Sequence, residues 1–168
     1  MALAMAACGG EKALGPVGVT PGAGAVSSKA VADGGGPRGA PPLPLPPGYR
    51  QGFAHLAPSK LPSRGHGTGK YLIDVYANEK AMAAYATERD KAQEGAIFVA
   101  EHVDGSSGGG QPAVYMLMQK MAPGFDSAHG DWRYVIADRE GQSADGATTY
   151  ACAQCHDEAP GDRIFPVR

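Results

Sequence analysis

Apolar positions fall into a regular pattern only in the later part of the chain. Lys70 to Ala77 (KYLIDVYA) is an apolar and aromatic run with partial alternation, which predicts a strand. Asn78 then offers a helix N-cap. Glu79 to Lys91 is rich in Ala, with Met82, Tyr85 and Ala86 spaced for one face, and predicts an amphipathic helix lying across a sheet. Gly95 breaks that helix. Ala96 to Val103 (AIFVAEHV) and Ala113 to Met121 (AVYMLMQKM) flank a Gly-rich connection, Asp104 to Pro112, and are expected to pair antiparallel as a wide hairpin. Asp131 to Asp138 (DWRYVIAD) sets Trp132, Tyr134 and Ile136 against polar positions, which predicts a fourth strand with one wet face. The sum is an α+β fold, mainly antiparallel sheet with helices packed on one side. No internal repeat points to a solenoid or propeller.

Composition divides the 168 residues into three parts. Between Gly9 and Gly48 stand 11 Gly and 8 Pro in 40 residues with no aromatic side chain, too little apolar surface to offset the entropy of ordering. Residues 9–48 therefore read as a disordered tether, stiffened at Pro41 to Pro47 where consecutive prolines favour polyproline II. Residues 1–8 are apolar and end in Ala6-Ala7-Cys8-Gly9, a small-residue pattern like that before the lipid-modified cysteine of a bacterial lipoprotein. They are expected to be the remnant of a signal segment. Because no Lys or Arg precedes Cys8, the basic start of such a segment is expected further upstream. A lipid on Cys8 would anchor the protein in the periplasm or cell envelope. Residues 49–168 hold all 4 Phe, all 7 Tyr and the single Trp, and form the domain.

Charge narrows the partners. The formal net charge of -2 leaves no basic excess to neutralise a phosphate backbone, so nucleic acid is excluded as a partner. No apolar run approaches the roughly 20 residues needed to cross a bilayer. The lipid on Cys8 is the only membrane attachment expected.

The chemistry lies near the C-terminal end, at Cys152-Ala153-Gln154-Cys155-His156. This is the CxxCH pattern of covalent c-type haem attachment. On a short helical turn Cys152 and Cys155 share one face, so both sulfurs reach the two vinyl groups of one porphyrin. His156 is then held with its ring under the iron as the metal ligand. Thr148 and Thr149 are placed to cap that turn. A zinc site would need a fourth protein ligand, a thioredoxin-like pair would open a long helix after a strand, and a disulfide across two residues would close too short a loop to stabilise much. One motif means one haem c. The sequence nominates no clear sixth ligand: an open position would allow small-molecule binding at iron, and a filled one would point to electron transfer. Met116, Met118 and Met121 stand on a predicted strand, where Met usually fills core, and His55, His66, His102 and His129 read as surface or hydrogen-bonded residues.

These residues resemble the cytochrome P-460 family, which includes the cytochromes c′-beta. The marks are Gly48-Tyr49-Arg50, Val75-Tyr76-Ala77-Asn78-Glu79-Lys80-Ala81, Gly124-Phe125-Asp126 through Gly130-Asp131-Trp132, and Cys155-His156 followed by Asp162-Arg163 and Phe165. The resemblance implies an exported mono-haem protein on an antiparallel sheet, often a homodimer, with His156 proximal and an apolar distal pocket. Family activities are hydroxylamine oxidation and nitric oxide binding at five-coordinate iron. The enzymes of this family carry a lysine bonded to the porphyrin rim, and the matching position here is Ala100. Lys70 is a fallback. Phe98 and Ala100, two apart on one strand, face the same way and are expected to wall the haem, with Phe53 as a second wall. Glu101, Asp126 and Asp131 are proton acceptors by type. Two functions follow: chemistry on small nitrogen species at haem iron, or six-coordinate electron transfer to an unidentified redox partner, with Met116 or Met118 as ligand.

Overall fold

The computed structural model describes residues 43–56, 61–63, 65–67, 70–87, 90–107, 110–141, 143–144 and 147–167. Cys8, the signal remnant and most of the tether lie outside the described residues. The elements in chain order are α1 (Tyr49–Gly52), β1 (Ala54–His55), β2 (Leu61–Pro62), β3 (Tyr71–Ala77), α2 (Glu79–Thr87), β4 (Ile97–Asp104), β5 (Val114–Lys120), β6 (Trp132–Ala137), β7 (Ser143–Ala144) and α3 (Ala147–His156). A kinked turn, Pro160–Arg163, follows.

Among the described residues all strands join one antiparallel sheet in the order β1-β3-β4-β5-β6-β7, with β2 beside β1 on the same edge of β3. The four strands read from the alternation are β3 to β6, and the Gly-rich connection does join two antiparallel neighbours. Directly paired residues share a face. One face carries Val75, Ala100 and Met116 in one row and Ala77, Phe98, Met118 and Tyr134 in the next. Both α2 and α3 pack here, burying Ala81, Ala84 and Ala153 against Val75, Phe98, Trp132 and Tyr134. The other face carries Tyr76, Val99, Leu117 and Val135.

That second face is not the wet face expected of Asp131 to Asp138. Val135 and Ala137 are buried in a core of their own with Tyr49, Val99, Tyr115 and Leu117. Leu43 and Leu45, residues of the Pro-rich stretch, pack against it together with Phe53. Alternation could not reveal this, because the cover comes from sequence with no apolar period.

Asn78 does more than cap. Its Oδ1 accepts from Ala81 N at 2.9 Å, which satisfies the first turn of α2, and from Ile97 N at 3.1 Å, while its Nδ2 donates to Gly95 O at 2.8 Å. One side chain thus fixes the exit from β3, the start of α2 and the entry to β4. The inward face of α2 is Ala81, Met82, Ala84 and Tyr85, and Ala86 is exposed. The helix also stops at Thr87, short of Lys91. Thr87 Oγ1 accepts from Asp90 N at 3.3 Å, and the Ala92 amide is taken by Asp162 Oδ2 at 2.9 Å, so the chain leaves helical geometry.

Asp162 ties the core together through both its side chain and its backbone. The same Oδ2 accepts from buried Lys120 Nζ at 2.5 Å, and its backbone carbonyl accepts from Trp132 Nε1 at 2.9 Å. Removing one partner of a buried ion pair strands the other. Asp162→Ala is expected to lower stability by about 3–5 kcal/mol in urea unfolding. The double variant Lys120→Met/Asp162→Asn is expected to recover part of that loss, since no unpaired charge remains.

Candidate haem site

The CxxCH motif forms the last turn of a ten-residue helix rather than an isolated turn. Because α3 begins at Ala147, Thr148 and Thr149 lie inside it and not at the position before its first residue. Cys152 and Cys155 stand one turn apart, half-buried and not joined in a disulfide. Burial pushes the Cys152 thiol up. Ala153 anchors the helix in the core beside Phe98 and Tyr134, and Cys152 packs against the same cluster.

His156 ends the helix, and its tautomer is fixed. Nδ1 lies 2.8 Å from the Arg163 carbonyl, which can only accept, so Nδ1 carries the proton and Nε2 the lone pair. Arg163 takes φ 64°, a left-handed conformation, after the turn through Gly161. Its guanidinium donates through Nε to Asp157 Oδ1 at 2.5 Å and through Nη2 to Ala128 O at 3.0 Å. Asp157 also meets His129 Nδ1 at 2.7 Å. A Cβ at Gly130 would lie 2.4 Å from Arg163 Nη1 and displace the guanidinium, and the left-handed φ of 68° itself favours glycine there. Tyr134 and Phe165 flank the His156 ring with centroids at 5.1 and 5.3 Å. Burial pushes the His156 imidazole down, favouring the neutral form that binds metals.

A second histidine pair stands across from His156. His66 Nδ1 lies 3.0 Å from His102 Nε2, and His102 Nδ1 lies 3.3 Å from the Ala100 carbonyl. Burial pushes both imidazoles down to about 4. The His66 ring centre is 6.4 Å from that of His156, with planes 24° apart. His102 is fully buried, and Tyr71 meets it edge-on at 5.7 Å.

The other residues singled out from sequence divide by face. Phe98 and Ala100 share one face of the sheet, as their spacing predicts, and lie in or against the cluster that Cys152 also packs on, with Phe98 against Trp132 at 6.1 Å. Met116 and Met118 are on this face too, and Met118 fills core. Phe53 lies on the opposite face, 6.4 Å from Tyr49, and walls nothing near His156. Glu101 also points to the opposite face, where it accepts from Arg50 Nε at 2.6 Å and from the Tyr49 hydroxyl. It binds α1 to the sheet and is no proton acceptor for this site. Asp131 Oδ1 accepts from Gly124 N at 3.1 Å and Asp126 N at 2.9 Å, so its carboxylate builds a loop; Asp126 joins the same loop through its backbone. His55 pairs with Asp74 at 3.0 Å. Lys70 is exposed, with Nζ 5.1 Å from the Tyr71 ring centre. Sequence reasoning did not single out Tyr134, Arg163 or Phe165 as neighbours of His156. The aromatic alternation of β6 and the Asp162-Arg163 and Phe165 marks were the signals available.

This neighbourhood suits a haem. Cys152, Cys155 and His156 supply a donor set of two thiols and one neutral imidazole on one helical turn. Among the described residues, the Tyr134 hydroxyl is the buried side-chain polar atom with no hydrogen-bond partner. It sits on the residue that flanks His156, where the polar edge of a cofactor can meet it. The fold and site together are those of a haem protein built on an antiparallel sheet. The chain matches the Cytochrome P460 family over residues 46–165 and belongs to that family, which makes it a haem-binding cytochrome. No curated protein matches it.

Burying an unpartnered hydroxyl costs about 1–3 kcal/mol. Tyr134→Phe is therefore expected to leave the haem-free protein as stable as the parent, or about 1 kcal/mol more stable, in urea melts. A clear loss of stability would show that the hydroxyl has a protein partner in solution.

Proposed function

We propose that the protein is an exported mono-haem c-type cytochrome that binds or redox-processes small nitrogen species, nitric oxide or hydroxylamine, at the haem iron. The observation that carries this reading is His156. It directly follows the second thiol, ends a rigid helix, and has its Nε2 lone pair set by the Arg163 carbonyl at 2.8 Å. Haem, when bound, supplies an iron that takes small ligands and changes oxidation state. The chain supplies the rest. Cys152 and Cys155 would hold the porphyrin as thioethers, each S–H adding across one vinyl group, and His156 would ligate the iron. Tyr134, Phe165 and Phe98 keep the surroundings apolar. Ala100 offers no amine, so the rim cross-link that the resemblance associates with hydroxylamine oxidation does not form from that position. Ligand binding is the activity this favours over turnover.

The same reading has the domain tethered in the cell envelope through a lipid on Cys8, with the Gly/Pro-rich segment as spacer. A six-coordinate electron carrier is the second reading, favoured by the placement of His66 facing His156.

The full chain matured with c-type machinery is expected to stain for covalent haem in a denaturing gel, and the Cys152→Ser/Cys155→Ser variant is not. The reduced protein is expected to show an ordinary c-type absorption band that shifts on adding nitric oxide. A strongly red-shifted reduced band would instead mean a cross-link from elsewhere, with Lys70 first in question. Fatty-acid labelling of the protein in its own cells, with a Cys8→Ser control, tests the anchor.

A further inference from the structure

We propose that a cleft on the sheet face away from Cys152 and His156 binds a small zwitterion of the amino-acid or short-peptide kind, its ammonium on Glu101 Oε2 and its carboxylate on the Arg50 guanidinium. The site shares no residue with the haem neighbourhood, so the two readings stand or fall separately.

The cleft holds about 480 Å³, and Arg50, Tyr76, Glu101, Val103, Gln111 and Pro112 are among its lining residues. That is within the ordinary size of small-molecule sites. Its floor follows from strand parity. Val99, Glu101 and Val103 of β4 point to the face of the second core, opposite Phe98 and Ala100. Gln111 and Pro112, in the connection from β4 to β5, and Arg50 of α1 build up its sides.

Glu101 is the decisive group. The residue is only 4% exposed, yet its two oxygens are used unequally. Oε1 accepts both from the Tyr49 hydroxyl and from Arg50 Nε at 2.6 Å. Among the described residues nothing donates to Oε2. Nor is Oε2 sealed in, because among those residues the Tyr134 hydroxyl is the one fully buried side-chain atom without a partner. Oε2 is therefore open to the cleft that Glu101 lines, and a carboxylate oxygen so deeply set calls for a donor.

Arg50 shows the same asymmetry. Arginine commonly meets a carboxylate with two parallel N–H bonds. Here only Nε is engaged, and among the described residues neither Nη group has a protein acceptor. Anchoring α1 to the sheet occupies Oε1 and Nε and leaves the other half of each group for a ligand. Tyr76 adds a neutral hydroxyl, since burial and then the Glu101 and Asp74 charges push its ionisation up.

Charge selects what fits. A lone cation at Oε2 would meet the Arg50 guanidinium, and a lone anion at the Nη groups would meet Glu101. A molecule carrying both signs satisfies each. Asp74, the strand partner of Glu101, already faces His55 Nε2 at 3.0 Å through Oδ1. Val103 and Pro112 give the carbon skeleton an apolar wall.

Isothermal titration calorimetry on the full chain with covalent haem tests the assignment, with glycylglycine as the zwitterion and ethylamine and acetate as its two charged halves. Glycylglycine is expected to bind, and each half to bind at least about tenfold more weakly, the effect of one lost charged hydrogen bond. Glu101→Gln keeps an oxygen for Tyr49 and Arg50 but removes the charge, and is expected to weaken glycylglycine about tenfold. Because Glu101 also holds α1, a second variant leaves that anchor alone. Gln111 is exposed, and Gln111→Trp is expected to crowd the cleft and lower the affinity by a similar factor. No heat from glycylglycine at millimolar concentration, ethylamine or acetate binding as tightly as glycylglycine, or an affinity unchanged in both variants overturns the assignment.

Discussion

The carboxylate of Asp162 is the interaction on which the rest of the structure depends. It lies in the C-terminal turn, yet it takes the ammonium of Lys120 at the end of β5 and the amide of Ala92 beyond α2, while its carbonyl takes the indole of Trp132 at the start of β6. A buried charge persists only with this degree of satisfaction. Three distant parts of the sheet-and-helix layer are thereby drawn to one point. The next residue is Arg163, whose carbonyl orients His156. The chemistry of the site and the closure of the core are therefore adjacent links of one chain.

That adjacency explains why a short, irregular segment can fix an imidazole. Arg163 has a left-handed backbone, which a non-glycine residue adopts only when its surroundings hold it there. Asp157, Ala128 and the space left by Gly130 are those surroundings. The helix contributes the other constraint, since α3 packs on β6 through Ala153 and sets the height of His156 over Tyr134. On the opposite face the Glu101, Arg50 and Tyr49 cluster makes a second core independent of this chemistry.

Much of the fold was legible in the sequence because β3 to β6 each carry an apolar row at period two, and because Asn78 has one favoured use before a helix. The end of α2 was not, since a carboxylate 70 residues later captures the Ala92 amide. Nor was the second core, whose lid of Leu43 and Leu45 is hidden among prolines. At the site, CxxCH announces itself by spacing alone. Glu101 misled because residue type does not say which face a strand position occupies, and adjacent Ala100 turns the other way. His66 carries no local signal at all: it stands between two glycines in irregular backbone, and only the tertiary structure brings it to His102.

The partner chosen for His156 has an electronic consequence. Its Nδ1–H meets a neutral amide oxygen, Arg163 O, and not a carboxylate. A charged acceptor would draw the proton further from the ring and give it imidazolate character, raising its basicity toward the metal. A peptide oxygen draws less. Toward a haem iron His156 would accordingly donate as a plain imidazole, with a weaker electron push than an imidazolate would give.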